Sequence, residues 1–495
     1  MPASRTAANR STVVPATANR STAIASRPAA ASRSSTNLTT AYLTRYRSVA
    51  ASSAEPAGSA VLPVTGAQRR FLLARRLDPQ GRPDVVPLFF AFPRGTVDPA
   101  RLHRAALRVA ARHPALRGTF TTLRGTPVLR LGQPSAEVRE VAVPPGATTD
   151  EALRRALLDW PAEGPALRLL LARGAEHDEE LLAVALDHAA CDEQSLGIVT
   201  AGLTLAYRED APDALGDLGP QELAEAAAAY REAVELQLAA EAAAASPAAH
   251  AHWAARLSGL TGAPGGPAAG PGPVGSERPA DPRANPTVRP TAARPTGPTA
   301  EQGTGMLSHR LLPGPGGAGR RIAFPALLDA VTSAAHRLFG PQRALALGYP
   351  WGGRPAAAPQ VLGCFLNTLV HPATPGPATL DELSAAWWDD LDHADMPFDE
   401  VVHAARSAGA QWTGALDGLL TFEDLHRRPP LVLGGTDGRE THLAGRPITA
   451  PFAVSASHGD DLLVRLAWDR SHCTDEAADA AFDALLEALR HHLGD

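Results

Sequence analysis

The residues best suited to acid–base chemistry follow an apolar run near the middle of the chain. Residues 182–186 are all apolar, and Asp187, His188 and Asp192 come directly after them. Such a run predicts a strand buried on both faces, and a strand end is a rigid platform for a proton acceptor. The imidazole of a histidine, with an ordinary pKa of about 6.5, can accept or orient a proton near neutral pH. His188 is therefore the candidate catalytic residue, although a histidine in this position is more often structural.

This segment resembles the His-His-x-x-x-Asp-Gly motif of the condensation domains of nonribosomal peptide synthetases. In that alignment Asp187 replaces the first His, His188 is the second, Asp192 is the Asp and Glu193 replaces the Gly. Other segments match motifs of the same family in the correct order: 65–70 (Thr-Gly-Ala-Gln-Arg-Arg), 112–120 (Arg-His-Pro-Ala-Leu-Arg-Gly-Thr-Phe), 252–260 (His-Trp with two leucines), 353–354 with 363–368 (Gly-Arg and Gly-Cys-Phe-Leu-Asn-Thr) and 393–399 (His-Ala-Asp-Met-Pro-Phe-Asp). Any one match could arise by chance, but six in order identify the chain as a member of this family over about residues 61–493.

The resemblance implies an α/β (α+β) fold with two chloramphenicol-acetyltransferase-like lobes, arranged in a V around a central tunnel. It implies that His188 is a general base or orients the attacking group. It gives Asp187, Asp192 and Arg354 structural roles at the active site, with Asp192 in an ion pair with an arginine of the second lobe, for which Arg354 is the candidate. Glu193 adds bulk and charge at the turn and could narrow the tunnel or change acceptor choice.

The implied function is that of an acyltransferase that forms an amide or ester bond in nonribosomal peptide or related natural-product biosynthesis. An acyl or peptidyl carrier protein would supply the donor thioester, and the acceptor would be a carrier-bound or free small molecule. The phosphopantetheine arm would arrive on the carrier, so no cofactor or metal of the chain's own is expected. No adenylation or carrier-protein signature occurs in the sequence, which predicts action in trans.

Two alternatives to this function stay open. The replacements at Asp187 and Glu193 are compatible with a degenerate, non-catalytic platform that docks carrier proteins or tailoring enzymes. The spacing of Asp187, Asp192 and Ser195 also fits the Asp-x-x-x-x-Asp-x-x-Ser pattern of heterocyclization domains, and an epimerase variant of the fold is a related possibility.

Composition divides the chain into four segments. Residues 1–60 form a predicted disordered tail, because 1–54 contain no acidic residue and little apolar surface; an organelle transit peptide shares this composition. The first lobe is predicted over 61–260, a Pro/Gly-rich linker over 261–305 and the second lobe over 306–495.

Charge and residue usage exclude several classes of protein. The net charge of −6 gives no reason to expect nucleic acid as a partner, and no apolar run is long enough for a membrane span. There is no lysine in the sequence, which excludes a Schiff-base lysine. The three cysteines match no zinc or redox spacing, so a reduced cytoplasmic protein is expected.

Periodicity predicts the elements that position these residues. Apolar side chains with helical spacing predict a helix over 98–113, with Asp98 as its cap and Pro99 in its first turn. The other predicted helices are 193–207, 221–245, 247–257 and 475–492. The predicted strands are 128–131, 138–143, 167–171, 181–186, 344–348, 418–422, 448–454 and 462–468.

Overall fold

A computed structural model describes residues 37–52, 60–78, 84–160, 164–174, 178–211, 218–261, 303–311, 322–376, 378–446, 448–459 and 461–494. The helices of this part of the chain are α1 (Leu38–Ser52), α2 (Gly66–Leu77), α3 (Pro99–Arg112), α4 (Pro114–Arg117), α5 (Thr149–Leu158), α6 (Glu193–Glu209), α7 (Pro220–Ala244), α8 (Pro247–Arg256), α9 (Phe324–Phe339), α10 (Leu380–Leu391), α11 (Phe398–Ser407) and α12 (Asp475–Leu493). Within these residues no helix is long and apolar enough to cross a membrane.

The strands of the described residues are β1 (Val61–Leu62), β2 (Val85–Pro93), β3 (Gly118–Leu123), β4 (Thr126–Leu131), β5 (Glu137–Val141), β6 (Leu167–Arg173), β7 (Glu179–Asp187), β8 (Thr304–Leu311), β9 (Leu345–Trp351), β10 (Asn367–Ala373), β11 (Gly418–Asp424), β12 (Val432–Leu433), β13 (Thr436–Asp437), β14 (Arg439–Thr441), β15 (Phe452–His458) and β16 (Leu462–Asp469). They form two large sheets, a three-stranded sheet (β1-β4-β3) and the hairpin β12-β13.

The first large sheet has the order β14-β2-β7-β6-β5. Its central strand β7 is almost completely buried, as the apolar run predicts, because side chains cover both of its faces. One face belongs to the core that includes residues of α3, α6 and α7, and the other packs on leucines of α5. The strand that delivers the candidate catalytic residue is therefore held by two hydrophobic layers.

The second large sheet has the order β10-β9-β11-β15-β16-β8. Strand β11 runs parallel to both β9 and β15, while the other pairs in this sheet are antiparallel. Residues of α8, α9, α11 and α12 share one core with it. The mixed α/β architecture with two sheets confirms the predicted fold class.

The two halves of the chain exchange segments, which the predicted boundaries at 260 and 306 do not allow for. Strand β14 pairs with β2, so residues from the second half complete the first sheet. Conversely, Trp253 and Leu257 come from the first half of the chain but belong to the second core, because α8 packs on the second sheet's helices. Strand β8 also begins at Thr304, before the predicted end of the linker at 305. Most of that linker, 262–302, lies outside the described residues.

Helix α1 differs from the expectation that residues 1–60 are a disordered tail. Tyr42, Tyr46 and Val49 are buried on one face of this helix, and both tyrosines join the first core. A few apolar side chains on one face of a helix can be buried even when the average composition of the segment is polar, so composition alone does not reveal them. Residues 1–36 and 53–59 lie outside the described part, so the expectation for them stays a prediction.

The locally patterned elements agree with their predictions. Helix α3 begins after Asp98, whose carboxylate accepts hydrogen bonds from Ala100 N and Arg101 N. The predicted helices 193–207, 221–245, 247–257 and 475–492 correspond to α6, α7, α8 and α12, with ends that differ by one or two residues. The strand expected at 448–454 is shifted and spans Phe452–His458.

Candidate active site

The candidate site lies where β7 passes into α6. Strand β7 ends at Asp187, a 3-10 turn covers His188–Ala190, and Asp192 caps the first turn of α6. The turn is closed by a hydrogen bond from Cys191 N to His188 O. The sequence thus places a histidine on a short, defined turn between a buried strand and a helix.

Asp187 fixes the start of this turn and pairs with an arginine that the sequence analysis did not identify. Its Oδ1 accepts a hydrogen bond from Ala189 N at 2.8 Å. Arg75 of α2 donates to both carboxylate oxygens, with Nη1 at 2.9 Å from Oδ2 and Nη2 in contact with Oδ1. Both carboxylate oxygens of Asp187 are therefore engaged by the turn and by Arg75, and its structural role at an active site stays a prediction.

His188 is half-buried and its ring stacks on Phe71 of α2, with the ring centroids 4.4 Å apart and the planes at 27°. Its backbone N–H donates to Asp84 O at 3.1 Å. Its Nδ1 is shielded from solvent and has no hydrogen-bond partner in the part of the chain that the structure describes. The stack on Phe71 is therefore a contact that can orient the imidazole.

Gln68 ties the same helix to the far side of the turn. Its side chain is fully buried, and Nε2 donates to Ala189 O at 2.8 Å and to Tyr230 Oη at 2.9 Å. Gln68 also completes a capping box with Thr65, which fixes where α2 begins. Thr65 and Gln68 of the motif at 65–70 thus fix the start of α2 and its contact with the candidate active site.

A narrow cleft with a cavity volume of about 20 Å³ opens beside α2 and is lined by both halves of the chain. Its lining residues are Gly66, Ala67, Arg70, Phe71, Leu366, Asn367, Thr368, Phe398 and Asp399. His188 is not among them, but Phe71 both lines the cleft and stacks on His188.

Arg70 crosses this cleft. Its Nη1 donates to Thr368 Oγ1 at 2.7 Å, and its guanidinium carbon lies 3.9 Å from the centre of the Phe398 ring. Burial lowers the pKa of Arg70, while Asp84 and Asp399 oppose that shift. Even lowered, the pKa of an arginine leaves it charged at neutral pH, so the cleft has a fixed positive group.

The structure brings Asp192 and Arg354 together. Arg354 Nη2 lies 3.3 Å from Asp192 Oδ1, and both side chains are less than a tenth exposed, at 7% and 5%. Arg354 also donates through Nη2 to Ser195 Oγ at 2.9 Å and through Nε to Val361 O at 2.8 Å. The guanidinium is therefore held by several acceptors besides the carboxylate.

Asp192 and Ser195 extend this network to the backbone of the second half. Asp192 Oδ2 accepts a hydrogen bond from Phe365 N at 3.0 Å. Ser195 Oγ is 2.8 Å from Gly363 O and 3.0 Å from Gly363 N. This Asp192–Arg354 network joins the start of α6 to the segment at 361–365, directly behind the turn that carries His188.

Glu193 has a partner that the sequence analysis did not anticipate. Its carboxylate lies 2.7 Å from Nη2 of Arg428, whose Nη1 lies 2.6 Å from Glu440 of β14. Arg428 is buried, while Glu193 is half exposed. Glu193 is thus engaged with the segment that crosses to the first sheet, and the expectation that it narrows a tunnel or changes acceptor choice stays a prediction.

Sequence reasoning missed Phe71, Arg75 and Arg428 as parts of the site. A weak signal existed for the first two, because positions 68, 71 and 75 lie on one face of a helix. Arg428 carries no local signal, since its partners are distant in sequence.

Comparisons with known proteins show similarity over short stretches of sequence and, for solved structures, in fold. No family model matches the chain. Among curated proteins, the chain is 41% identical to tyrocidine synthase 2 of Brevibacillus parabrevis over 78 residues (16% of this chain, 2% of that protein). It is 32% identical over 178 residues to the probable non-canonical nonribosomal peptide synthetase CymA of Salinispora arenicola (30% of this chain, 2% of that protein). The matches thus span only a small part of these large relatives.

Solved structures match over most of the chain. The first condensation domain of the calcium-dependent antibiotic synthetase, in complex with substrate analogue 3a, has a TM-score of 0.61 at 16% identity, covering 88% of this chain and 97% of that chain. The X-domain from teicoplanin biosynthesis has a TM-score of 0.59 at 20% identity, covering 89% and 96%. The starter condensation domain of rhizomide synthetase RzmA has a TM-score of 0.57 at 17% identity, covering 88% and 97%.

Proposed function

Because the chain has the fold of the condensation domains of nonribosomal peptide synthetases, we propose that it transfers a carrier-bound acyl or aminoacyl group to an amine or alcohol. The observation that carries this proposal is the position of His188. It stands on a braced turn at the end of a buried strand, next to an aromatic residue that lines a cleft between the two halves of the chain.

In the proposed reaction the acceptor's nitrogen or oxygen attacks the carbonyl carbon of a thioester. A C–N or C–O bond forms, the C–S bond breaks, and the acceptor's proton passes by way of His188 to the leaving sulfur. Positioned acid–base help of this kind contributes about 10²–10⁴-fold to a rate. The remaining rate enhancement comes from holding donor and acceptor together in the cleft. Bound in the right orientation, they react as if in a unimolecular step and not after a chance encounter.

The partners follow from this chemistry. A phosphopantetheine thioester on a carrier protein is the proposed donor, and the solved complex of a structural neighbour with a substrate analogue supports a ligand-binding role for this fold. The cleft has a fixed positive charge at Arg70 and apolar walls from Phe71 and Phe398. The charge suits the polar phosphopantetheine arm, and the apolar walls suit the acyl group that it carries. Action in trans and the nature of the acceptor stay predictions.

The test is turnover with a carrier protein charged with an acyl-phosphopantetheine, using panels of amino acids and alcohols as acceptors and mass spectrometry as the readout. We expect His188→Ala to keep its melting temperature and lose about 10²–10⁴-fold in turnover. His103→Ala is the matched control, because His103 is exposed on α3. Turnover by His188→Ala equal to that of an active wild type would exclude the acid–base role of His188, whereas no turnover by the wild type would favour the non-catalytic platform.

A further inference from the structure

Helix α2 contacts the candidate active-site turn residue by residue. Gln68 binds Ala189 O, Phe71 stacks on His188, and Arg75 binds the carboxylate of Asp187. Positions 68, 71 and 75 lie on one face of the helix, because three- and four-residue steps return to the same side. One helix face thus supports the three consecutive positions 187–189.

The three contacts differ in what they fix. Gln68 and Arg75 hold the backbone and the first side chain of the turn, and their hydrogen bonds go to Ala189, Tyr230 and Asp187. The ring orientation of a functional histidine is usually set by the hydrogen bond that its other nitrogen makes. Here Nδ1 has no such partner within the described residues. The contact that remains to orient the ring is its stack on Phe71.

Phe71 is placed for orientation rather than for core packing. It is half-buried and belongs to none of the hydrophobic core clusters of the described residues. Its ring is stacked on that of His188, a favourable arrangement for two planar rings. It also lines the cleft next to Arg70. A phenylalanine that only fills a core would be fully buried and would not line a cleft.

We propose that Phe71 is a positioning residue that holds the His188 imidazole at the angle its proton transfer requires. This inference rests on the proposed function. A ring held within a narrow range of angles reacts faster than one that rotates, because small misplacements of a catalytic group are costly. Loss of the stack should therefore lower kcat and leave donor KM nearly unchanged.

The experiment compares Phe71→Leu with Phe71→Tyr, and uses Leu73→Ala as the matched control because Leu73 lies on the same helix but is 55% exposed. Imidazole proton–carbon NMR spectra of the full chain give a readout that needs no turnover, with the His188 signals assigned by their loss in His188→Gln. We expect Phe71→Leu to shift the His188 signals and lower kcat about 10-fold, with KM within about 2-fold. Phe71→Tyr should restore both, and Leu73→Ala should change neither.

Two outcomes would overturn the proposal. His188 signals that do not move in a folded Phe71→Leu variant would show that the rings do not stack in solution. Shifted signals with an unchanged kcat would show that the stack exists but does not position a catalytic group. Absence of turnover in the wild type would defeat the proposed function instead, and the NMR spectra would still report on the stack.

Discussion

Arg354 and Asp192 are 162 residues apart in sequence and form a buried ion pair behind the turn that carries His188. Each residue also makes hydrogen bonds to groups other than its partner in the ion pair. Asp192 also accepts from Ser195 N and Phe365 N, both at 3.0 Å, and Arg354 also donates to backbone carbonyls of its own segment. Removing either residue therefore breaks a shared network and not a single contact.

Asp192→Ala should destabilise the protein by about 3–5 kcal/mol, because it leaves the buried guanidinium of Arg354 without its counterion. Arg354→Ala should cost a similar amount, because it leaves the buried carboxylate of Asp192 without its counterion. The double variant should cost less than the sum by about 1–3 kcal/mol, because the second change removes the charge that the first left unpaired. Chemical denaturation of the four proteins measures this coupling.

Arg439 and Glu179 provide the control cycle. They also join the two halves of the chain, at 2.8 Å, but their side chains are 63% and 58% exposed. Exposed pairs couple by less than about 1 kcal/mol. Additive effects at Asp192 and Arg354, or coupling no larger than in the control, would contradict a network held together by the buried pair.

Helix α1 should contribute to stability. Tyr42 and Tyr46 are buried against the first core, and their hydroxyl groups donate to the backbone at Pro127 and Val61. Deleting residues 1–52 removes this burial, so the melting temperature should fall by on the order of 5 °C. Differential scanning calorimetry measures the change. Deleting residues 1–36 alone is the control and should have little effect, because their composition predicts disorder. Equal melting temperatures for the two truncations would show that α1 does not stabilise the fold.

The behaviour of α1 shows where sequence reasoning succeeds and where it stops. Helix α3 was predictable because Asp98, Pro99 and an apolar stripe are all local signals. Helix α1 was not, because its charge-poor, polar composition conceals the few residues that bury its face. What buries them is a core contributed by distant elements, and no local pattern reports on that core.

The candidate site divides in the same way. His188 and Asp192 lie in one motif, and Arg354 could be named because the family resemblance supplies a long-range relationship that spacing does not. Arg75 carries only the weak signal of its helical spacing, and Arg428 carries none. Most arginines in any chain are solvated, so which of them turns inwards to meet Asp187 or Glu193 is decided by tertiary packing.

Substitutions of Glu193 and of Arg428 should lower the free energy of unfolding by clearly different amounts. Glu193→Gln should cost less than about 1 kcal/mol, because Glu193 is 50% exposed and such pairs are screened by water. Arg428→Met should cost more, about 2–3 kcal/mol, since it also strands Glu440, which Arg428 holds at 2.6 Å. Urea denaturation measures both. A larger loss from Glu193→Gln than from Arg428→Met would mean that Glu193, and not the buried arginine, organises this cluster.

The pH dependence of stability should reflect buried neutral histidines. His371 lies in β10 and is 6% exposed, and burial followed by the charge of Arg256 lowers its pKa to about 3. Burial followed by the charge of Arg112 lowers the pKa of His113 to about 4. In the unfolded chain both groups titrate near about 6.5. Between these values the unfolded state binds more protons than the folded state, so stability rises with pH across that window.

The free energy of unfolding should therefore be independent of these histidines above about pH 6.5 and fall as the solution is acidified. Each should contribute up to about 1.4 kcal/mol per pH unit until its folded-state pKa is reached. His371→Gln removes one titrating group, so its stability should fall less steeply than that of the wild type between about pH 6 and about pH 4.5. Urea denaturation across that range gives the slopes, and His103→Gln, at an exposed position of α3, is the control. A slope in His371→Gln as steep as that of the wild type would mean that His371 is protonated in the folded protein, and that the contact of Arg256 with its Nδ1, at 3.5 Å, does not persist in solution.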